Sequence, residues 1–157
     1  GEELIKTYSK IYKYEYLMFR LFNVCGIGQK NEFVISKFIN DANKKRLIHI
    51  YGPGSQTRCF CHVNDATDAM IKLIKSKYRN DTFNIGNNNR PISMTDLAKY
   101  ISNQFKQKIK IIKIPFEKSD RTKQREIYYR KPNLTKVRKA INYKPNVSLK
   151  KIIKEYF

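Results

Sequence analysis

The sequence predicts an α/β fold, and three observations support that prediction. Helical and strand-like patterns alternate at short intervals along the whole chain, which is typical of α/β proteins. Hydrophobic residues make up 41% of the 157 residues and are spread from end to end, so one domain can bury a core. No internal repeat or low-complexity tract interrupts the alternation, so a repeat architecture is excluded.

The first segment has the pattern of a helix. Its apolar residues fall at positions 4, 5, 8, 11 and 12, which share one helical face. No capping side chain precedes this pattern, and the chain starts with Gly1 rather than Met. Because a native N-terminus rarely enters a helix in this way, we expect the sequence to be the C-terminal piece of a longer protein.

The remaining elements follow in alternation. Short runs of β-branched and aromatic residues predict strands at 16–22, 47–51, 58–63, 82–85 and 109–114. Apolar residues at helical spacing predict helices at 34–42, 66–74 and 94–105, and two short helices beginning at Asn133 and Ser148. Asn64 or Asp65 is expected to cap the helix at 66–74, and Ser93 the next one. The charged stretch 115–129 is expected to be the most mobile loop.

Charge and composition narrow the possible functions. Lysine and arginine number 33 against 13 acidic residues, which gives a formal net charge of +20. These cations scatter over nearly every helix face without a nucleic-acid-binding signature, so a nucleic-acid binder is the less favoured alternative. No apolar run approaches the roughly 20 residues of a membrane span, and no secretory start is present. We therefore expect a cytoplasmic protein without a membrane partner, and the three cysteines fit reduced thiols.

Metal and cofactor motifs are not evident in the sequence. No turn carries the three glycines of a dinucleotide fingerprint, and no glycine is followed by Lys-Ser or Lys-Thr. Cys59, Cys61 and His62, together with Cys25, are the residue types that bind zinc. Consecutive strand residues point to opposite faces, so His62 is expected to point away from the two neighbouring thiols. Buried thiols are therefore favoured, and no metal site is predicted.

Two arginines are candidate phosphate ligands, because neither is well explained as part of a solvated face. Arg58 follows the turn at 52–57, and Arg130 lies two residues before Pro132. A guanidinium can bind a phosphate through a fork of two hydrogen bonds, whereas a lysine offers a point charge. A structural ion pair or an exposed loop arginine is the alternative for each, and the residues alone leave both alternatives open.

Four motifs, in this order along the chain, resemble the extended short-chain dehydrogenase/reductase family. They are Arg20-Leu21-Phe22-Asn23-Val24-Cys25-Gly26, the stretch 51–65 with its Gly-Ser-Gln-Thr-Arg, Phe83-Asn84-Ile85-Gly86, and Arg130-Lys131-Pro132-Asn133 followed by 142–149. Within the family the sequence is most similar to NAD-dependent nucleotide-sugar epimerases and dehydratases, and especially to UDP-glucuronate decarboxylases. The resemblance implies the C-terminal part of a Rossmann-type fold with the small substrate-binding subdomain. Residues 1–31 would end the Rossmann-type domain, and residues 32–157 would form mostly the subdomain, with some elements returning to the Rossmann sheet.

The resemblance also implies a function. The full-length protein would be a homodimeric enzyme in which NAD takes a hydride from a UDP sugar, a 4-keto sugar reacts further, and the hydride returns. This chain has neither the glycine-rich NAD loop nor the catalytic Tyr-x-x-x-Lys, so it would be inactive alone and contain no catalytic residue. A noncatalytic module that binds nucleotide sugars or another partner is the alternative.

The site residues that the resemblance implies belong to two groups. Leu21 and Phe22 would lie near the nicotinamide of NAD. The implied substrate residues are Asn23, Val34, Ile35, Ser36, His49, Ile50, Tyr51, Arg58, Phe60 and Arg130. Among them, 49–51 would hold uracil, the two arginines and Asn23 would contact the diphosphate, 34–36 would line it with backbone, and Phe60 would pack by the ribose.

Overall fold

The computed structural model describes residues 1–118 and 126–157, which form six α-helices and nine strands. The helices are α1 (Glu2–Tyr12), α2 (Val34–Lys45), α3 (Val63–Ile74), α4 (Met94–Ser102), α5 (Thr135–Ile141) and α6 (Leu149–Lys154). The strands are β1 (Leu17–Leu21), β2 (Val24–Cys25), β3 (Leu47–Tyr51), β4 (Thr57–Arg58), β5 (Cys61–His62), β6 (Asp81–Ile85), β7 (Ile92–Ser93), β8 (Lys110–Ile114) and β9 (Tyr129–Arg130). The stretch expected to be a mobile loop, 115–129, lies partly outside the described residues, and its described ends hold a 3₁₀ turn at Phe116–Lys118 and the start of β9.

Strand pairing is mostly parallel, which confirms the predicted α/β fold. β1 pairs with β6, β2 with β5 and β3 with β8, all in parallel. A fourth sheet, of three strands, places β4 between β7, which is antiparallel to it, and β9, which is parallel. Parallel strands need crossover connections, and α2, α3 and α4 lie within those connections along the chain.

The prediction of a single strand at 58–63 is wrong, because the chain passes from one sheet to another within these residues. Arg58 pairs with the strands β7 and β9, whereas Cys61 and His62 pair with β2. The two intervening residues, Cys59 and Phe60, carry the chain from one sheet to the other and are both buried. Residues 59–62 are all buried, and the run 58–63 contains two separate strand pairings rather than one strand.

The prediction that Asn64 or Asp65 caps α3 is also wrong. The Nδ1 atom of His62 accepts the backbone N–H of Asn64 at 3.2 Å and so caps the helix. The carboxylate of Asp65 instead accepts the N–H groups of Asn146 and Val147, at 3.2 and 3.0 Å. Asp65 is thus used to fix a distant loop, and the residue before the helix takes over the capping role.

The C-terminal segment is held against the strand ends by polar contacts. The Nε2 atom of His62, whose ring is buried, lies 2.8 Å from the Glu155 carboxylate. The neighbouring Tyr156 hydroxyl donates to the carbonyl of Gly26 at 2.6 Å. These contacts attach the residues that follow α6 to β5 and to the residue that follows β2.

Two clusters of buried side chains form the core. The first, which we call the closed cluster, joins α2, β3, α4 and α6, and consists of Cys25, Ile35, Phe38, Ile39, Ala42, Ile48, Ile50, Phe60, Met94, Leu97, Ala98, Ile101, Ile152 and Ile153. The second cluster joins α3, β6 and α5, and consists of Cys61, Ala66, Ala69, Leu73, Phe83, Ile85, Leu134, Val137 and Tyr143. Each cluster covers a face of a parallel strand pair, as expected for helices packed on a sheet.

The apolar face of α1 is exposed, unlike the faces in either cluster. We call this surface, with the end of β1, the open face, and it consists of Leu4, Ile5, Tyr8, Ile11, Tyr12 and Leu21, which are 38 to 66% exposed. Ser9 is the buried residue of this helix, and its hydroxyl donates to the carbonyl of Tyr14 at 2.6 Å. The sequence predicted the helix correctly, but its apolar stripe faces away from both clusters.

Candidate functional site

A cavity of about 240 Å³ lies over the closed cluster, between the start of α2 and the end of β3. Its walls come from six segments of the chain. They are formed by Asn23, Glu32, Phe33, Val34, Lys37, Phe38, His49, Ile50, Tyr51, Gln56, Arg58, Phe60, Met94 and Glu126. The lining combines apolar side chains with a few polar and charged ones, which is the usual composition of a small-molecule site.

Seven of the residues expected at the substrate site line this cavity. They are Asn23, Val34, His49, Ile50, Tyr51, Arg58 and Phe60. They come from four separate segments: the residue before β2, the start of α2, the end of β3, and the region from β4 to the residue before β5. The fold therefore brings together residues that the sequence places up to 37 positions apart, from 23 to 60.

Ile35 and Ser36 direct their side chains away from the cavity. Successive helical residues are rotated by about 100°, so Val34 can face the cavity while the next two side chains do not. Ile35 is 1% exposed within the closed cluster, and the Ser36 hydroxyl lies 3.4 Å from that of Tyr156. Their expected contribution through backbone groups is compatible with this placement, since the main chain of the first turn stays at the cavity edge.

Arg130 and Phe22 lie together outside the cavity lining, and Leu21 directly precedes Phe22 in the chain. The register of β4 and β9 places Arg130 directly beside Arg58. The Arg130 guanidinium lies over the ring of Phe22, 5.7 Å from its centroid, a geometry that permits a cation–π interaction. The backbone N–H of Phe22 donates to the carbonyl of Ile85 at 2.8 Å, which continues the β1–β6 pairing. Arg130 thus lies between the cavity and the carboxyl end of β1.

Arg58 is held by three hydrogen bonds. Its Nη1 atom donates to the carbonyls of Thr57 and Ile127, at 2.8 and 2.7 Å. Its Nη2 atom donates to the carboxylate of Glu126 at 2.8 Å, and the two side chains are 17 and 9% exposed. The ion pair left open by the sequence exists, yet these bonds use only three of the five guanidinium N–H groups. Arg58 can therefore also bind a ligand in the cavity.

Asn23 connects the end of β1 to the segment between β4 and β5. Its backbone has φ 43°, a left-handed conformation that asparagine tolerates better than most residues. Its side-chain Nδ2 donates to the carbonyl of Cys59 at 3.0 Å, and its own carbonyl accepts from the N–H of Cys61 at 3.1 Å. This double attachment fixes Asn23 at the cavity wall.

Three charged wall residues were not among the predicted site residues. They are Glu32, Lys37 and Glu126. Lys37 lies three positions after Val34 on α2 and therefore shares its face, so helical spacing could have identified it. Lys37 also lies 3.5 Å from the buried carboxylate of Asp41, one turn further along. No local spacing identifies Glu126, which reaches Arg58 from 68 positions away.

The buried thiols next to the site are not nucleophiles. Burial raises the pKa of Cys25 from 9.0 to about 12 and that of Cys61 from 9.0 to about 11. Burial also raises the pKa of Cys59, although the charge of Lys131 partly opposes this. All three thiols are thus neutral at physiological pH, and a neutral thiol is a poor nucleophile and metal ligand. Among residues 1–118 and 126–157 no group of three or more His, Cys, Asp and Glu side chains could hold a metal ion.

Comparison of the sequence with models of protein families identifies the family of this chain. The model of the NAD dependent epimerase/dehydratase family matches residues 1–86, which is more than half of the chain. The chain belongs to this family. Within the described part of this family member, no helix is both long and apolar enough to cross a membrane.

Individual relatives agree with this assignment. Over 139 residues the chain is 35% identical to UDP-N-acetyl-alpha-D-glucosaminuronate decarboxylase of Bacillus cytotoxicus, and the match covers 87% of this chain and 43% of the relative. It is 32% identical over 115 residues to UDP-glucuronic acid decarboxylase 3 of Arabidopsis thaliana, covering 71 and 32% of the two chains. The resemblance to decarboxylases of this family, expected from the four motifs, is confirmed.

A solved structure confirms the fold. Pal from Bacillus thuringiensis superimposes with a TM-score of 0.84 and 30% identity, covering 98% of this chain and 48% of that one. The fold is therefore that of Rossmann-type extended short-chain dehydrogenases/reductases, at partial length. This family member spans less than half the length of each of these three relatives.

Proposed function

We propose that this chain is the substrate-binding half of an NAD-dependent nucleotide-sugar epimerase, dehydratase or decarboxylase that acts through a 4-keto sugar. The observation that supports this most strongly is the cavity, which brings together seven expected substrate residues, Arg58 among them. The two curated relatives are named as decarboxylases of UDP-linked sugars, which favours a UDP sugar as the ligand.

The nucleotide end of the ligand is assigned to β3 and its neighbour Phe60. Along β3 the side chains alternate, so His49 and Tyr51 are half-buried on one face while Ile50 is buried on the other. In this proposal the main-chain edge at these three residues holds the uracil base. Phe60, 8% exposed, packs beside the ribose.

The diphosphate is assigned to Arg58 and to the first turn of α2. Arg58 is fixed in place and keeps two N–H groups for phosphate oxygens. The first turn of α2 adds main-chain donors, because Phe33 at the N-cap has no side-chain bond to these N–H groups. Ile35 and Ser36 would contribute in this way although their side chains point elsewhere. The parallel pairing of β9 with β4 places Arg130 beside Arg58, and Arg130 would approach the diphosphate from the end of β1.

The division of the chain follows the same proposal. Residues 1–31 are proposed to end the Rossmann-type domain, and residues 32–157 to form mostly the substrate-binding subdomain. The parallel pairing of β1 with β6 supports the proposal that residues 81–85 return to the Rossmann sheet. Ligands of such sheets bind at the carboxyl ends of the strands.

The residues present fit only the edge of a site for NAD. Leu21, half-exposed at the carboxyl end of β1, and Phe22 offer an apolar surface for a nicotinamide ring. Gly86 keeps the neighbouring strand end close, because a Cβ there would lie 2.9 Å from the Cβ of Phe22. The sequence has no glycine-rich loop for a pyrophosphate. When bound, NAD would supply hydride acceptance and return, whereas this chain would position the sugar nucleotide.

Calorimetric titration of the 157-residue chain with UDP tests the proposal. We expect micromolar binding, and we expect Arg58→Ala to weaken it by about tenfold or more, because hydrogen bonds to charged groups contribute roughly 1.5–3 kcal/mol. Arg20→Ala is the matched control, since Arg20 forms an exposed ion pair with Glu2 away from the cavity. The absence of UDP binding, or an equal loss in both variants, would contradict the proposal.

Activity separates the substrate half from a complete enzyme. With NAD and a UDP sugar added, the 157-residue chain is expected to show no conversion, because it lacks a Tyr-x-x-x-Lys sequence. Conversion by the purified chain, measured by chromatography of the sugar nucleotide, would overturn this part of the proposal. UDP binding without conversion by any longer form of the protein would favour the noncatalytic module.

A further inference from the structure

Three consecutive residues after α6 are each held by a different part of the fold. Glu155 lies 2.8 Å from the Nε2 atom of the buried His62 in β5. The ring of Phe157 meets that of Phe105 edge to face, with 4.9 Å between the centroids. Tyr156, between them, is partly buried against the closed cluster. Because both of its neighbours are anchored, the Tyr156 side chain has a defined position.

The Tyr156 hydroxyl connects the end of β2 to the first turn of α2. It donates to the carbonyl of Gly26 at 2.6 Å, and the Oγ atom of Ser36 lies 3.4 Å from the same hydroxyl. A phenol has one proton, which Gly26 receives, so Ser36 is the donor in the second, longer contact. Ser36 is 4% exposed, so its hydroxyl depends on a protein partner. Burial raises the pKa of Tyr156, so the phenol keeps its proton at physiological pH.

The segment between these two contacts forms one wall of the cavity. Glu32, Phe33 and Val34 lie within it and line the cavity. Residues 26–33 form neither helix nor strand, so contacts of the segment with the rest of the fold determine its position. One hydroxyl group, that of Tyr156, holds both ends of this wall segment.

One end of the wall segment is fixed and the other needs support. A Cβ at Gly26 would lie 2.7 Å from the Cγ1 atom of Val63, so the backbone there is in close contact with α3. At the other end, Phe33 at the N-cap of α2 forms no side-chain hydrogen bond to the helix. No capping side chain therefore holds the first turn of α2. The Tyr156 hydroxyl provides that support, because it attaches the turn to Gly26 through Ser36.

We propose that Tyr156 is a positioning residue, which holds the first turn of α2 where its main-chain N–H groups contact the diphosphate of the ligand. This inference rests on the proposed function, which assigns the diphosphate to Arg58 and to this turn. Tyr156 does not line the cavity, so it acts through Ser36 and the wall segment. A wall that is held in place before the ligand arrives loses less conformational freedom on binding, which raises the affinity.

The experiment measures the affinities of three proteins for UDP and for uridine. The proteins are the wild-type chain, Tyr156→Phe, which removes the hydroxyl and keeps the ring, and Tyr143→Phe. Tyr143 is the matched control, because its hydroxyl also donates to a glycine carbonyl, that of Gly86 at 2.9 Å, and neither residue lines the cavity. Uridine has the base and the ribose but no phosphate, so it tests the nucleoside contacts separately. Calorimetric titration measures UDP, and nuclear magnetic resonance titration measures the weaker uridine.

We expect Tyr156→Phe to weaken UDP binding by about three- to tenfold, which corresponds to the loss of one intramolecular hydrogen bond. Its affinity for uridine should change by less than about twofold, because the nucleoside contacts lie elsewhere in the cavity. Tyr143→Phe should lower the thermal unfolding midpoint to a similar extent and leave both affinities unchanged. A purely structural role of Tyr156 would lower stability without this difference between the two ligands.

Three outcomes would overturn the inference. Unchanged UDP affinity in Tyr156→Phe, in a chain whose UDP binding depends on Arg58, would overturn it alone and leave the proposed function intact. Equal losses for UDP and uridine, or the same UDP loss in Tyr143→Phe, would show that Tyr156 stabilises the fold as a whole. No UDP binding by the wild type would remove the proposed function and the inference with it.

A second variant tests the same connection if Tyr156→Phe does not fold. Ser36→Ala keeps the contact of Tyr156 with Gly26 and removes the attachment of α2 to it. We expect it to weaken UDP binding by about two- to threefold, since the contact is longer than an ordinary hydrogen bond, and to leave uridine binding unchanged. Unchanged UDP affinity in Ser36→Ala would contradict the inference.

Discussion

The closed cluster and the open face differ in how completely the chain covers its own apolar side chains. The closed cluster draws residues from position 25 to position 153, and its members are 0 to 8% exposed. On the open face, Leu4, Ile11 and Tyr12 of one short helix are 60 to 66% exposed. The cavity lies on the closed cluster. Its binding properties can therefore be tested on this chain without a change to the open face.

The largest expected effect is a difference between two leucine truncations. Leu97→Ala, in the closed cluster at 0% exposure, should lower the free energy of unfolding by about 2–5 kcal/mol, because it leaves a cavity. Leu4→Ala, at 60% exposure, should change it by less than about 0.5 kcal/mol. Urea denaturation measures both. Equal losses would break the comparison, since Leu4 would then be covered in solution.

The second effect contrasts two glycines. Gly52 has φ 75°, and a Cβ there would lie 2.1 Å from the ring of Phe116, which is buried. Gly28 has φ 83° with no atom within 4 Å of such a Cβ. Both Ala substitutions introduce left-handed strain, but Gly52→Ala should cost about 1–3 kcal/mol more because Phe116 must move. Thermal unfolding curves of the two variants would show this; matching midpoints would mean that the ring has room to shift.

The third effect is a loss of stability at alkaline pH. Burial raises the folded-state pKa of Cys25 to about 12 and of Cys61 to about 11, above the ordinary 9.0 of an unfolded thiol. The stability contributed by the neutral thiols is therefore complete below pH 9 and is lost as pH rises toward 11–12. Between pH 9 and 10 the expected loss is about 1 kcal/mol for each thiol.

Alanine variants of the two cysteines assign this pH dependence to the two clusters. Cys25→Ala removes the thiol of the closed cluster, and with it that thiol's part of the loss of stability at alkaline pH. Cys61→Ala does the same for the second cluster. Urea denaturation at pH 8, 9 and 10 is the measurement. A slope that is unchanged in the double variant would show that other groups cause it.

The smallest effect concerns one ion pair in each region. Glu126→Gln removes a negative charge beside Arg58 in the cavity wall, so UDP affinity should rise by about two- to fivefold. Glu2→Gln removes the partner of Arg20, beside the open face, and should leave UDP affinity unchanged. Calorimetric titration compares the two variants. Weaker UDP binding by Glu126→Gln would show that this carboxylate orients Arg58 more than it competes with phosphate.

Elements that depend on near neighbours could be predicted from the sequence. The capping serines are examples: Ser93 accepts the N–H of Asp96 at 3.0 Å, and Ser148 that of Lys151 at 3.2 Å. Both bonds span three residues, so a local pattern contains all the information they need. The helix from 2 to 12 and the strand from 47 to 51 were predicted for the same reason.

Features that depend on distant segments could not be predicted from local patterns. The division of 58–63 into two strands is decided by partners at 24–25, 92–93 and 129–130. The buried oxygen of Gln56 and the contact of Glu126 with Arg58 are likewise set by the folded chain. The motif resemblance supplied seven wall residues of the cavity because it uses information on the whole family rather than local physics.

The pairing of β4 with β9 also has a consequence for the order of folding. Arg58 and Arg130 become neighbours only when the chain closes a loop of more than 70 residues. Such closure is entropically costly and contributes slowly formed contacts, whereas helices form from local ones. A refolding chain should therefore regain its circular dichroism before it regains its affinity for UDP. The arginine pair would thus form later than the helices of the molecule, together with the other pairings between distant segments.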